Sequence, residues 1–193
     1  MKTASSKHTV YFTADSHFGH EGMMENRMSR PRPFGSIEEH DETLIANWNA
    51  VVRPCDEIWH LGDFAYGGTI EHAKAVFRRL NGTKRLLHGN HEKWGKALPW
   101  ASQHEGFVDV TVEGSRLFLC HYAMRAWPGI WRGTLHLFGH THASLPDTRR
   151  SADVGVDACN FRPVRLDEIR GRMAEARDWP EELAGAAAAG EVN

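Results

Sequence analysis

Seven residues of metal-binding type recur at one kind of position in this sequence. Short apolar runs at 9–14 (TVYFTA), 57–61 (EIWHL), 84–88 (KRLLH), 116–120 (RLFLC) and 135–138 (LHLF) lead into Asp15 and His17, Asp63, Asn90, His121, and His140 with His142. In open α/β sheets ligands bind at the carboxyl ends of strands, so these residues are expected to surround one small volume. Asp15-x-His17 and His140-x-His142 are i, i+2 pairs, whose side chains share a face on an extended backbone. Gly62, Gly89 and Gly139 each precede a candidate ligand, where glycine permits a sharp exit from a strand and close approach. Seven candidates exceed a four-coordinate structural zinc site, which would also favour cysteine. Mixed carboxylate, imidazole and amide donors suit two borderline or hard divalent ions. Such a pair, about 3.5–4 Å apart, holds an attacking hydroxide and a phosphoryl oxygen. One carboxylate must bridge the pair to damp its repulsion, and Asp63, central in the order, is the candidate.

The elements that position these residues alternate in type. The runs ending at the candidate ligands read as strands, with further strands at 153–156 (DVGV) and 163–166 (PVRL). Ser36-Ile37-Glu38-Glu39 has capping-box spacing, and Ile37, Leu44, Ile45, Trp48 and Val51 follow at helical intervals. Residues 69–80 predict a second helix, closed by Asn81-Gly82. Residues 93–104 and 167–178 are read as a third and a fourth. Strand–helix alternation predicts an α/β domain. One domain is expected over 1–183, followed by a low-complexity tail at 184–193 that either extends a helix weakly or stays disordered.

Composition bounds the function. A formal net charge of −2 and the lack of a long basic run give no support for dedicated nucleic-acid binding. The three cysteines, Cys55, Cys120 and Cys159, are odd in number and widely spaced, which predicts reduced thiols in a cytoplasmic protein. The opening residues lack a signal-peptide apolar core, and no run is long enough to cross a bilayer, so no membrane association is expected.

The ordered set Asp15-Ser16-His17, Gly62-Asp63, Gly89-Asn90-His91-Glu92, His121 and Gly139-His140-Thr141-His142 resembles the five signature blocks of the calcineurin-like metallophosphoesterases. The flanking HFGH and VGVDACNFRPV segments resemble a compact bacterial and phage group within that superfamily. The resemblance implies a four-layer α/β/β/α sandwich of two mixed sheets flanked by helices. It implies that Asp15, His17 and His142 hold one metal, that Asn90, His121 and His140 hold a second, and that Asp63 bridges both. His91 matches the histidine that assists catalysis. Glu92 stands where many relatives carry Asp, and its pairing with His91 is an expectation.

The chemistry expected is dinuclear, metal-dependent phosphoesterase hydrolysis of a small phosphate ester, with Asp63 and His91 as the catalytic residues. Metal-bridging hydroxide would attack phosphorus and His91 would protonate the leaving oxygen. A phosphodiester is favoured. A phosphomonoester is the alternative, and a non-catalytic metal-binding scaffold the second alternative. Manganese is the favoured metal, with Fe, Zn, Ni and Co also compatible. His20, Arg27 and Arg125 are candidate substrate contacts, with Arg30, Arg32 and Arg132 in the same loops, because a guanidinium fork suits phosphate. Trp127 and Trp131 read either as a stacking wall for a flat leaving group or, slightly favoured, as a packing cluster. His60 and His136 read as packed histidines. Monomer and homodimer both remain open.

Overall fold

The computed structural model describes residues 8–25 and 30–192. Two mixed sheets face each other. The first has the order β4-β3-β2-β1-β9. Its strands β1 (Val10–Thr13), β2 (Glu57–His60), β3 (Thr83–Leu87) and β4 (Ser102–His104) are parallel, and β9 (Val164–Arg165) is antiparallel to β1. The second has the order β5-β6-β7-β8. Here β5 (Phe107–Val112) pairs antiparallel with β6 (Ser115–Cys120), while β7 (Leu135–Phe138) and β8 (Ser151–Asp153) continue in parallel.

Strand alternation divides the core. Phe12, Trp59 and Leu87 from the first sheet meet Leu117, Leu119 and Leu137 from the second. On the other face of the first sheet, Tyr11, Ile58 and Leu86 pack against helices α1 (Ile37–Val51) and α2 (Ile70–Arg79) through Leu44, Trp48, Val76 and Phe77. The Ser36 side chain caps α1 by accepting from Glu39 N–H, and Thr69 caps α2 by accepting from His72 N–H. Glu39 reaches Gly35 N–H rather than closing a full capping box on Ser36. Helix α3 (Leu166–Glu175) buries Leu166, Ile169 and Met173 in the inter-sheet core. Helix α4 (Glu181–Ala188) covers the outer face of the second sheet, where buried Leu183 meets Phe118, Cys120, Trp127 and Ile130.

Three elements differ from the sequence reading. The helix expected at 93–104 is a single 3-10 turn at Gly95–Ala97 followed by the edge strand β4. Pro99 disfavours helical geometry at Leu98, which is extended at φ −91°, ψ 156°. Strand β5, not anticipated, forms a hairpin with β6 through Glu113-Gly114, both at positive φ, as a twist-matched two-residue turn requires. The strand expected at 153–156 runs instead over Ser151–Asp153, and Val156 begins a 3-10 turn. No helix among the described residues is long and apolar enough to cross a membrane.

Candidate metal centre

Every block of candidate ligands lies just beyond the carboxyl end of a strand: Asp15 and His17 after β1, Asp63 after β2, Asn90 and His91 after β3, His121 after β6, and His140 and His142 after β7. The first three strands belong to one sheet and the last two to the other, so the blocks meet where the ends of the two sheets face each other. Ligand atoms of Asp15, His17 and His142 lie within 4.8 Å of one another, as do those of Asp15, Asp63 and His121. His17 Nε2 and His121 Nε2 each stand 3.6 Å from Asp63 Oδ2. Asn90 Oδ1 lies 2.9 Å from both His121 Nε2 and His140 Nδ1. The structure therefore gathers all seven candidates.

The convergence has a different backbone origin from the one expected. Asp15, His17, Asp63, His140 and His142 have φ of 56°, 51°, 60°, 66° and 47°. These are left-handed conformations, which cost non-glycine residues about 1–3 kcal/mol each and cluster at functional sites. The i, i+2 pairs thus aim inward from tight kinks rather than from an extended strand. Gly62, at φ 102°, takes a backbone conformation that other residues rarely adopt, whereas Gly89 and Gly139 answer to space. A Cβ on Gly89 would lie 2.2 Å from Asp63 Oδ1, and one on Gly139 would lie 2.5 Å from the Ala14 Cβ and 2.7 Å from Asp15 Oδ2.

The electrostatics call for a cation. Asp15 Oδ1, Asp63 Oδ2 and His17 Nε2 are buried with no hydrogen-bond partner, a state that costs about 1–3 kcal/mol per group, and more when charged, unless something else satisfies it. Burial, with Asp153, Asp63 and Asp157 nearby, pushes the Asp15 carboxyl well above its usual range. Burial and the Arg32 charge hold His17 well below the ordinary imidazole value. His121 Nδ1 donates to the Leu61 carbonyl at 2.7 Å, and burial lowers its pKa, so its Nε2 lone pair faces Asn90 Oδ1. The donor set of carboxylates, imidazoles and an amide oxygen fits divalent ions.

A second ring of residues, passed over in the sequence, holds the donors in place. His142 Nδ1 donates to Asp157 Oδ2 at 2.7 Å, leaving Nε2 for a ligand. Burial raises the Asp157 carboxyl, but the His142 hydrogen bond and the Arg32 charge outweigh it and hold it below the usual carboxylate range. Buried Arg32 forks onto Asp157 and also donates to the carbonyls of Asp15 and Ser16. Arg32, expected as a possible phosphate contact, is thus a fixed internal cation. Asp153 binds Thr141 Oγ1 at 2.6 Å and the N–H groups of Ala143 and Gly155, fixing the His140–His142 kink. The nearest sequence signal was the VGVDACNFRPV segment, which contains Asp157 but which nothing in the pattern linked to His142.

The remaining candidates divide. His91 N–H donates to Asp63 Oδ1 at 2.7 Å, and its ring stands edge-on to Tyr66 and 5.8 Å from the His17 ring. Glu92 does not pair with it. The Glu92 carboxylate is buried against the N–H of Phe64, and burial together with the Asp63 charge pushes its pKa up to about 7. A buried carboxyl group facing the Phe64 backbone replaces the expected His–Glu pair. His20 borders the site, its Nδ1 3.4 Å from His17 Nδ1 and its ring against Tyr66. Arg125 is engaged by Glu181 of α4 on the surface. Arg30 donates to the Ala143 carbonyl beside His142. Arg27 lies outside the described residues. Trp127 is buried, packs against Leu183 and donates to the Thr134 carbonyl, as the packing reading expects, whereas Trp131 is exposed, lies outside that cluster and donates to Glu182. His60 and His136 are buried, bonded to Ser16 Oγ and to the Phe118 carbonyl.

Residues 12–158 match the calcineurin-like phosphoesterase superfamily domain, a span that contains every candidate donor. The chain belongs to the calcineurin-like phosphoesterase superfamily. Relatives of this phosphoesterase include an uncharacterised protein of Methanocaldococcus jannaschii, 31% identical, with 85% of this chain and 90% of the relative covered. The gene 66 protein of Mycobacterium phage L5 is 40% identical, with 83% and 91% covered. A protein of unknown function from Aquifex aeolicus shares the fold at a TM-score of 0.64 and 21% identity, over 84% of this chain and 98% of that one. The phosphoesterase family domain and a candidate metal-binding cluster thus occur together in this chain.

Proposed function

We propose that this phosphoesterase hydrolyses a small phosphodiester with two divalent ions, Mn²⁺ favoured, in the cytoplasm. The observation that carries the reading is the set of partnerless buried donors, Asp15 Oδ1, Asp63 Oδ2 and His17 Nε2, aimed into one volume. Asp15, His17 and His142 would hold one ion, Asn90, His121 and His140 the other, with Asp63 shared. Bound there, such ions supply Lewis acidity toward a phosphoryl oxygen and a nucleophilic water at neutral pH.

The chain's own residues do the rest. Asp63 anchors the His91 backbone, so the His91 ring keeps a fixed relation to the shared carboxylate. From there His91 stabilises charge on the phosphoryl oxygens and protonates the leaving oxygen. His20 and Tyr66 wall the same side and position the ester. The three free cysteines fit a reducing compartment.

Paired chromogenic mono- and diesters given to metal-stripped protein, with Mn²⁺ restored, test this reading. The diester is expected to turn over faster, and His91→Ala to lose about 10²-fold or more in turnover. Monoester preference would replace the diester assignment. An active His91→Ala protein would remove the role given to that ring.

A further inference from the structure

The second sheet carries a cavity of about 370 Å³ lined by Ser115, Leu135, Arg149, Arg150, Arg170 and Trp179, among others. It opens at the far end of the strands that carry the metal donors. Ser115 begins β6 and Leu135 begins β7, whereas His121 and His140 follow the ends of those strands. Six residues of extended chain separate Ser115 from His121, or about 20 Å at the usual rise per residue. None of the lining residues is a candidate metal donor.

The lining is strongly cationic. Three arginines line one concavity and no Asp or Glu is among the lining residues, in a chain whose formal net charge is −2. The Arg149 and Arg150 guanidinium carbons lie 5.8 Å and 5.4 Å from the Trp179 ring centroid, so the indole orients both groups. The backbone is fixed as well: His136 N–H donates to the Arg150 carbonyl, and Arg149 N–H to the Asp178 carbonyl. Arg170 comes from α3 across the cavity and donates to Ser115 Oγ. The arginines are thus preorganised, and arginine binds phosphate oxygens through a planar fork of donors.

We propose that this cleft is a second anion site that binds the phosphate groups of a small phosphorylated ligand, such as a nucleotide. The volume falls within the range of small-molecule pockets. The separation from the metal donors makes it a binding site distinct from the catalytic one, whatever ester is hydrolysed there.

The test is calorimetric titration of the intact protein with inorganic pyrophosphate, with adenosine monophosphate, and with a single-stranded oligonucleotide. The Arg149→Gln/Arg170→Gln double variant and the matching double Lys variant run beside the wild type, and far-ultraviolet circular dichroism monitors folding. The Gln variant is expected to lose at least tenfold in pyrophosphate and nucleotide affinity while hydrolysing a chromogenic ester at the wild-type rate. The Lys variant, which keeps charge and loses the fork, is expected to bind with intermediate affinity. Equal affinity in wild type and Gln variant, or no wild-type binding at millimolar ligand, would overturn the proposal. Arginine-dependent binding of the oligonucleotide alone would overturn the small-ligand assignment and give the cleft to a polynucleotide backbone.

Discussion

His142 Nδ1 donates to Asp157 Oδ2 at 2.7 Å, and the same carboxylate oxygen accepts from buried Arg32 at 2.7 Å. One side chain thereby fixes both the ring orientation and the tautomer of a candidate metal ligand. Outer partners of this kind typically alter metal affinity by 10–100-fold. Asp157→Ala is expected to weaken Mn²⁺ binding by that range in a calorimetric titration while the protein remains folded. Unchanged affinity would mean that His142 is not a ligand or needs no orientation.

Two glycines allow a contrast between crowded and open backbone. A Cβ at Gly89 would stand 2.2 Å from Asp63 Oδ1 and 2.7 Å from Asp63 N, whereas one at Gly171 in α3 meets nothing within 4 Å. Gly89→Ala is expected to displace the Asp63 carboxylate, abolish metal-dependent turnover and cost about 1–3 kcal/mol of stability. Gly171→Ala is expected to keep activity and gain about 0.5–1 kcal/mol. Thermal unfolding and an ester assay on both variants check the pair.

Asp56 ties the start of the first sheet to the turn after α1. Its carboxylate accepts from Thr9 N–H and Arg53 N–H and forks with the Arg53 guanidinium. Hydrogen bonds from Arg53 hold its pKa below the usual carboxylate range. Because the folded value lies below the unfolded one, the stabilisation is complete above about pH 4 and is lost as pH falls from there. Asp56→Ala is expected to cost about 2 kcal/mol at pH 7. Its melting-temperature deficit should narrow below pH 4, and a deficit that stayed constant would contradict the assignment.

His136 shows the opposite charge behaviour. Burial drives its pKa down to about 4, and the neutral ring donates from Nδ1 to the Phe118 carbonyl while its Nε2 accepts from Met124 N–H. A histidine held neutral in the fold favours unfolding once the unfolded chain takes up protons. Stability is therefore expected to fall as pH drops from about 6.5 toward 4. His136→Gln should flatten that limb in a series of thermal melts, although the substitution itself destabilises at neutral pH.

Much of this was legible in the sequence because the same residues carry both strand ends and chemistry. Apolar runs broken by Gly-Asp, Gly-Asn-His and Gly-His-x-His mark where each strand stops and what stands there. What stayed hidden was non-local or conformational. Arg32 and Asp157 lie 125 residues apart, and no spacing rule connects them. The left-handed kinks at Asp15 and His140 fall on Asp and His, which tolerate that conformation better than most residues but do not single it out in a sequence. The helix expected at 93–104 contains Pro99, and the chain there forms a 3-10 turn and an edge strand instead. Helix α4 is alanine-rich and weakly patterned, and its place is set by Leu183 against Phe118 and Trp127. Leu183→Ala should accordingly cost about 2–4 kcal/mol in denaturant unfolding.

In the proposed function, Asp63 holds a pair of ions through one shared carboxylate. Calorimetric titration of metal-stripped protein with Mn²⁺, wild type against Asp63→Asn, tests it most directly. Two ions per chain in the wild type, with both weakened together in the variant, is the predicted result. A single ion in the wild type, or an Asp63→Asn protein that binds as the wild type does, would contradict it.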